Sequence, residues 1–491
     1  MNSEKARTRF APSPTGFMHV GNLRTALFSY LLAKKGGGVF ILRIEDTDQT
    51  RYVKGAVEMI CHILKETGLQ YDEGPDVGGD YGPYVQSQRQ EIYWEYAHKL
   101  ITTGDAYYCF CDKERLDKIR EECRIAKIDP KYDGHCRNLL PEEIQKKLEA
   151  KKPFVIRQKM PVSGDTIFDD RVFGTIKVDF AQLDDQVLMK ADGLPTYNFA
   201  NVIDDHLMEI THIVRGSEFL ISTPKYNQLY KAFGWEIPTL VHVPPVMKAA
   251  GQKMSKRLGD ASYDDFIKKG YLKDAIINYI ALLGWSPGDN REIFTLPELA
   301  DAFDINNINK APAIFDEVKL SWLSGEYIRK LSLEEFHQMA LPYIKQTVSR
   351  SPSDIRKISQ LLQPRVEKLI DIPVQIDFID SVPDYSLDFY SHQKMKSTPA
   401  SALQFLKSAL PVLNTIGNWT EEHIHAAIFE LINQSQIKTG QLLWPLRIAL
   451  SGKKSTPGGF IEIAYLLGKE ETIKRVENAI RRLETERVSG A

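Results

Sequence analysis

No apolar run in this chain approaches the roughly 20 residues that a bilayer-crossing helix needs, which excludes a helical membrane protein. The opening MNSEKARTRF lacks the apolar core of a secretory signal, so a cytoplasmic protein with no membrane partner is expected. Cysteine is sparse: there are five, an odd number, and four of them fall between Cys109 and Cys136. That clustering disfavours a disulfide framework and favours a local metal site in a reducing compartment. Neither sign of charge prevails. With 63 Lys and Arg against 65 Asp and Glu the net charge is −2, so a nucleic-acid partner would have to meet a local basic surface. Fixed-period repeats and low-complexity tracts are also missing, which excludes solenoids and disordered arrays.

What is present is an ordinary globular mixture, 43% hydrophobic and 26% charged over 491 residues, long enough for roughly two to four domains. Residues 7–11 read as a short strand, broken by Pro12, Pro14 and Gly16. From residue 19 to 35, Leu23, Leu27, Tyr30 and Leu31 recur at helical spacing until Gly36-Gly37-Gly38 ends the helix. Residues 39–44 form a second strand, and a helix is expected over 52–67. Strand, helix and strand within ~40 residues make a βαβ unit with a parallel sheet and a right-handed crossover. A second α/β stretch follows much later. It has a strand over 207–215, a helix opened by Thr223-Pro224 and running to Phe233, and a strand over 239–243. The charged stretch between, about 91–190, holds the cysteines and reads as an insertion. Past about residue 325 the pattern is helix after helix. Ser332 and Glu335 make a capping box, Thr420 opens another segment, and Ile473, Val476, Ile480 and Leu483 stripe a final helix.

Residues 12–21, Pro-Ser-Pro-Thr-Gly-Phe-Met-His-Val-Gly, link a strand to a helix, where unpaired N–H groups and a partial positive charge attract phosphate. Gly21 lets a nucleotide approach the backbone, and His19 can donate to a phosphate oxygen as charge builds there. Alone, an H-x-G turn is usually a plain connection. A second element, Lys253-Met254-Ser255-Lys256-Arg257, follows the last strand of the α/β half, and its lysines can close over a triphosphate as pyrophosphate leaves. The two at opposite ends of one α/β domain make the plain reading untenable.

His19-Val20-Gly21-Asn22 resembles the HIGH signature of class I aminoacyl-tRNA synthetases, and Lys253-Met254-Ser255-Lys256-Arg257 their KMSKS signature. The resemblance narrows to the bacterial glutamyl branch. It is carried by Arg9-Phe10-Ala11-Pro12-Ser13-Pro14-Thr15-Gly16, Arg43-Ile44-Glu45-Asp46-Thr47-Asp48, Tyr71-Asp72-Glu73-Gly74-Pro75 and the segment Asp192 through His206. It covers essentially the whole chain. Asn22 in place of the final His of HIGH and Arg257 in place of the final Ser of KMSKS are mild departures.

The resemblance implies an α/β Rossmann-type catalytic domain with an inserted α+β acceptor-binding domain, then a stem-contact region and an all-α anticodon-binding half. The expected bounds are 1–90 and 191–250 for the catalytic halves, 91–190 for the insertion and 251–325 for the loop and stem contact. Two helical subdomains follow at 326–375 and 376–491. The implied reaction is ATP-dependent activation of L-glutamate, with Mg²⁺, and transfer to tRNA(Glu). Thr15, Gly16, His19, Gly21, Glu218, Lys253, Met254, Ser255 and Lys256 would hold ATP, with His19, Lys253 and Lys256 catalytic. A planar Arg fork suits a carboxylate. The resemblance assigns glutamate to Arg9, Ser13, Glu45, Tyr197, Asn201 and Arg215, with Arg9 on the γ-carboxylate and Glu45 on the α-ammonium. Phe219 stands where some relatives carry Trp.

Cys109-x-Cys111 with Cys136 resembles the structural zinc site of some glutamyl enzymes, and three thiolates suit tetrahedral Zn²⁺. The family often has a His where this chain has Asn138. Tyr132 is the family-like alternative for the fourth ligand, and His135 and Cys123 are local candidates. In the helical half, Arg365 matches a position associated with rejecting glutamine-type anticodons, and Arg447 is a second candidate RNA contact. A discriminating, monomeric enzyme is expected. The alternatives are a non-discriminating enzyme that also charges tRNA(Gln), a base-modifying paralogue without the helical half, an H-x-G-H nucleotidyltransferase, and a catalytically silent tRNA-binding scaffold. Intact His19, Lys253 and Lys256 argue against the last.

Overall fold

The computed structural model describes residues 5–16, 18–249, 251–253 and 262–489. Two compact units divide the chain. One comprises residues up to Asp265 together with Ile276–Glu317, the other Phe266–Ala275 with the residues from Val318 onward.

In the first unit, β1 (Arg7–Phe10) leads into α1 (Val20–Lys35) and β2 (Val39–Leu42), the βαβ unit that the apolar spacing predicts. Leu23, Leu27 and Leu31 are fully buried on one face of α1. The chain passes from α1 to β2 so close to the start of β1 that a Cβ on Gly38 would lie 2.0 Å from the Ala6 carbonyl oxygen, which explains the third glycine of the run. The helix expected over 52–67 is shorter, α2 (Ala56–Glu66), because Gly55 sits in the left-handed region (φ +85°) and starts it late.

The inserted stretch opens with α3 (Gln90–Thr103), β3 (Ala106–Cys109), α4 (Lys113–Ala126), α5 (Pro141–Glu149) and β4 (Val155–Gln158). It continues through β5 (Asp165–Asp170), β6 (Gly174–Asp179) and β7 (Val187–Met189). Strands β3, β4 and β7 form their own antiparallel sheet. The β5–β6 hairpin does not join it. After α6 (Tyr197–Leu207), β8 (His212–Gly216), α7 (Thr223–Phe233) and β9 (Thr239–Val243), the six-stranded sheet has the order β2-β1-β8-β9-β5-β6. The hairpin therefore extends the main sheet although its sequence lies within the stretch expected as insertion. Strands β2, β1, β8 and β9 are parallel, so their carboxyl ends open on one edge, where ligands of such sheets bind.

The strand expected over 207–215 is partly helix. Leu207 ends α6, and Glu209 makes the turn with φ +55°, a conformation that no glycine marks in the sequence. Beyond β9, β10 (Val246–Ala249) pairs with β11 (Gln252–Lys253) and with β12 (Ala313–Ile314).

The second unit is helical, from α-helices at Glu317–Lys330 and Leu333–Thr347 through to Lys469–Ser489. The capping box forms as expected: Glu335 N donates to Ser332 Oγ (3.2 Å), and Ser332 N donates to Glu335 Oε2 (2.8 Å). Val476, Ile480 and Leu483 are buried in one core with Ile473 packed against it. Inside that core, Arg475 donates to the carbonyls of Phe378, Leu450 and Ile379, which lets a cation sit among apolar side chains. No helix among the described residues is long and apolar enough to cross a membrane.

Candidate active site

At the carboxyl end of β1, His19 is the N-cap of α1. Its Nδ1 accepts from the backbone N–H of Gly21 (3.1 Å) and Asn22 (3.4 Å). A neutral imidazole has one ring proton, so the proton resides on Nε2, the nitrogen able to donate to a phosphate. A Cβ on Gly21 would lie 3.0 Å from His19 Cε1. The glycine of the H-x-G pattern thus makes room for the histidine ring itself, beyond any approach by nucleotide.

Beside this turn lies a cavity of about 630 Å³, of small-molecule size, at the carboxyl ends of β1, β8 and β9. Arg9, Ser13, Thr15, His19, Gly21, Tyr197, Arg215 and Glu218 all line it. Phe219 lines it too, stacked on Tyr197 with ring centroids 5.2 Å apart. Gly16, Glu45 and Asn201 do not. Asn201 is buried behind the wall and donates to the Tyr197 carbonyl (2.6 Å). Lys253 closes β11 against Met247 of β10, and Val246 of the same strand reaches the cavity. Met254, Ser255, Lys256 and Arg257 lie outside the described residues. The chain is again described at Ser262, which forms an isolated antiparallel bridge with His19. Lys253 and Ser262, the described residues on either side, thus pair with segments that line the cavity.

Two of the cavity arginines, Arg9 and Arg215, are each held through two nitrogens. Arg9 donates through Nε to Asp205 Oδ1 (2.9 Å) and through Nη1 to the Val214 carbonyl (3.3 Å). Arg215 donates through Nε to His242 Nε2 (2.9 Å) and through Nη2 to Thr223 Oγ1 (3.0 Å). Arg9 Nη2 and Arg215 Nη1 make no hydrogen bond among the described residues.

Behind them is a buried ionic lattice. Asp205 Oδ1 also accepts from Arg43 Nη2 (2.8 Å), and Arg43 Nη2 reaches Glu45 Oε1 (2.9 Å). Asp204 accepts from Arg89 (2.8 Å), Gln86 (2.9 Å) and Tyr93 (2.7 Å). Tyr197, Asn201, Asp204 and Asp205 fall on one face of α6 at spacings of four, three and one. Burial pushes the Asp205 carboxyl up, but Arg9 and Arg43 overcome it and hold the group below its ordinary value. Glu45 goes the other way. Burial outweighs Arg43 and Arg9 and pushes its carboxyl up to about 7, and its Oε2 is buried with no partner.

Arg24, Asp170, Asp204 and His242 belong to this site but carried no role in the sequence. Arg24 lines the cavity and binds the carbonyls of Leu283 (3.0 Å) and Pro244. Burial holds its guanidinium down at about 10. A charged residue in the apolar stripe of α1 was the available signal. Asp204 lies within the Asp192–His206 segment that carries the resemblance, and nothing local marks Asp170.

The insertion brings Cys109, Cys111 and Cys136 together, with all three sulfurs within 4.8 Å of one another. Tyr132 Oη lies 3.3 Å from Cys109 Sγ and 3.5 Å from Cys111 Sγ. Cys123 and the exposed His135 lie outside the cluster. In the helical unit, Arg365 and Arg447 are neighbours. Burial, then the nearby Arg365 cation, hold the Arg447 guanidinium below its ordinary value. Arg447 Nη2 donates to the Lys454 carbonyl (2.9 Å) and its guanidinium lies 4.8 Å from the centre of the Trp444 ring, while its buried Nε has no partner.

Comparison with known proteins agrees with this architecture. Residues 5–322 match the family model of class I tRNA synthetase (E and Q) catalytic domains, and residues 335–480 match an anticodon-binding domain. A glutamate–tRNA ligase of Clostridium tetani is 60% identical over 99% of both chains, and one of Clostridium botulinum is 58% identical over 98% of this chain and 99% of its own. Among solved structures, a glutamate tRNA ligase of Elizabethkingia meningosepticum, crystallised with its amino acid, is 37% identical with a TM-score of 0.86. It matches over 98% of this chain and 100% of its own.

Gly21→Ala should displace the His19 ring and lower nucleotide-dependent turnover by ~10- to 100-fold, with melting temperature little changed. Steady-state kinetics on the variant check this. Unchanged turnover would show that the ring does not need that space.

Proposed function

The chain belongs to the class I glutamate–tRNA ligases, and from that premise we propose how its residues divide the reaction. The glutamate α-carboxylate attacks the α-phosphorus of ATP, giving glutamyl-adenylate and pyrophosphate. The 2′-hydroxyl of the terminal adenosine of tRNA(Glu) then attacks the activated carbonyl. No covalent enzyme intermediate is needed, so catalysis is positioning and charge stabilisation. Thr15, Gly16 and Gly21 admit the nucleotide, His19 Nε2 donates to the reacting phosphate, and Lys253, Met254, Ser255 and Lys256 close over the departing pyrophosphate. Glu218 is the one carboxylate among the described lining residues and would help hold a Mg²⁺ ion, which would supply charge neutralisation for the triphosphate.

The observation that carries the amino-acid assignment is the pair of unengaged guanidinium nitrogens in one cavity with His19. Arg9 and Arg215 take the γ-carboxylate. A glutamine amide would present N–H groups to these donors and be rejected. Glu45, behind the wall, offers its unpartnered oxygen to the α-ammonium, while Ser13, Tyr197 and Asn201 shape the pocket. Activation waits for bound tRNA.

Residues 1–90 and 191–250 supply the nucleotide half, 91–190 the acceptor-end contacts, 251–325 the stem contact, and 326–375 with 376–491 the anticodon reader. Arg365 reads the anticodon base and Arg447 meets RNA phosphate, because two neighbouring cations with a buried, unpartnered nitrogen favour an anion. The enzyme is a cytoplasmic monomer that discriminates against tRNA(Gln). Charging with labelled glutamate should therefore proceed on tRNA(Glu) alone, and Arg365→Gln should admit tRNA(Gln). Charging of both tRNAs by the unaltered protein would refute discrimination. No charging of either would favour a silent scaffold.

The cysteine cluster fits a structural Zn²⁺. Zn–S bonds of roughly 2.3 Å set sulfurs about 3.8 Å apart around a tetrahedral ion. Cys111 and Cys136 are 3.6 Å apart, and Tyr132 supplies a nearby oxygen as fourth donor. Bound there, the ion would fasten β3 to the 132–136 segment and take no part in the chemistry. Purified protein should contain about one zinc equivalent, and Cys111→Ser should lose it while retaining amino-acid affinity. Metal content well below one equivalent in the unaltered protein would overturn the site.

A further inference from the structure

We propose that His242 and Asp170 form a positioning relay that fixes the hand of Arg215, so that a hairpin outside the cavity sets recognition of the substrate's side-chain carboxylate. The inference rests on Arg215 taking that carboxylate. A guanidinium has no lone pair to give, so the Arg215 Nε contact at 2.9 Å requires His242 Nε2 to be the acceptor. The ring is then neutral with its single proton on Nδ1, and that proton goes to Asp170 Oδ2 at 2.7 Å. Asp170 is itself held. Its Oδ2 accepts from the His242 backbone N–H (3.0 Å), and its Oδ1 accepts from Val172 (2.9 Å) and Phe173 (2.8 Å).

The other side of Arg215 is equally fixed. Thr223 Oγ1 accepts from Nη2 and passes its own proton to the Phe219 carbonyl (2.9 Å). Asp170, His242, Thr223 and Arg215 are all buried, so no water competes for these bonds. Burial, with Arg215 and Arg9 facing it, outweighs Asp170 and lowers the His242 ring to about 4, which keeps it neutral and accepting at physiological pH. Four elements thereby converge on one side chain: β5 through Asp170, β9 through His242, α7 through Thr223 and β8, which carries Arg215. Nη1 is the nitrogen left for the ligand. This gives the β5–β6 hairpin a reason to sit on the main sheet.

A purely packing histidine would make no distinction between its two nitrogens. His242→Asn places an amide near Nδ1 and abandons Arg215, whereas His242→Gln carries an acceptor to the position of Nε2. In charging assays at saturating tRNA, His242→Asn should raise the KM for glutamate ~10- to 100-fold with the KM for ATP within about twofold, and His242→Gln should recover most of the loss. Asp170→Asn is the second arm. Its amide N–H moves the ring proton to Nε2, opposing Arg215, and should raise the glutamate KM likewise while circular dichroism reports a folded chain. Arg215→Lys is the control. An unchanged glutamate KM in Arg215→Lys would defeat the assignment of Arg215 itself. A raised KM there, with His242→Asn and His242→Gln indistinguishable or Asp170→Asn without effect on it, would overturn the relay alone.

Discussion

Three arginines and three carboxylates buried in and behind one wall of the cavity are the constraint on which the site depends. Arg9, Arg43 and Arg89 face Glu45, Asp204 and Asp205 with almost no solvent access. Such burial is costly unless every charge is met by another. Two carboxylates are well compensated in charge: Asp205 bridges Arg9 and Arg43 through Oδ1, although its Oδ2 has no partner, and Asp204 collects Arg89, Gln86 and Tyr93. Glu45 is not, since Arg43 already shares its charge with Asp205. The lattice therefore holds Arg9 in a fixed pose and keeps in reserve one carboxylate whose ionised form is under-compensated. A shift from the ordinary value to about 7 corresponds to about 3 kcal/mol, an unfavourable term that an incoming ammonium can offset.

The same logic runs through the rest of the molecule. Arg475 lies in an apolar core because three carbonyls accept from it, and Arg24 crosses from α1 to two carbonyls at the edge of the cavity. Three proposed ligand contacts fall on incompletely partnered charged groups: Glu45 for an ammonium, Arg215 and Arg9 for a carboxylate, Arg447 for RNA phosphate. The cysteines follow a related rule. Three thiols and a phenol crowded within a few ångströms, with Arg157 stacked 3.9 Å over the Tyr132 ring, form a poor apolar core and a good metal cage.

Local chemistry was legible in the sequence and long-range pairing was not. The α1 stripe, the Ser332 capping box and the helix from Thr223 to Phe233 depend on residues a few positions apart, so their spacing reveals them. The turn at Glu209 carries no glycine, so the sequence does not mark where α6 ends and β8 begins. Membership of β5 in the main sheet depends on β9, some seventy positions later, and no local pattern encodes that partner. In the site, Arg9, Tyr197 and Arg215 are legible because the resemblance names them, and His19 because it opens a helix in an H-x-G turn. Asp170 and His242 act through Arg215 and touch no substrate, so neither motif nor composition marks them. Glu45 and Asn201 were expected to line the pocket and instead stand behind it, one in the ionic lattice and one bracing the Tyr197 backbone.

Burial raises the Glu45 carboxyl to about 7 until the substrate ammonium arrives. Its raised value makes the protonated form dominate below about pH 7, and only the carboxylate binds an ammonium. The direct test is the pH profile of kcat/KM for glutamate, at saturating ATP and tRNA, in the unaltered protein and in Glu45→Gln. The profile should be level above about pH 7 and fall with unit slope below it, while kcat at saturating glutamate stays level to lower pH and Glu45→Gln is low and flat. A profile level down to about pH 6, or a Glu45→Gln variant that keeps the same slope, would contradict the account.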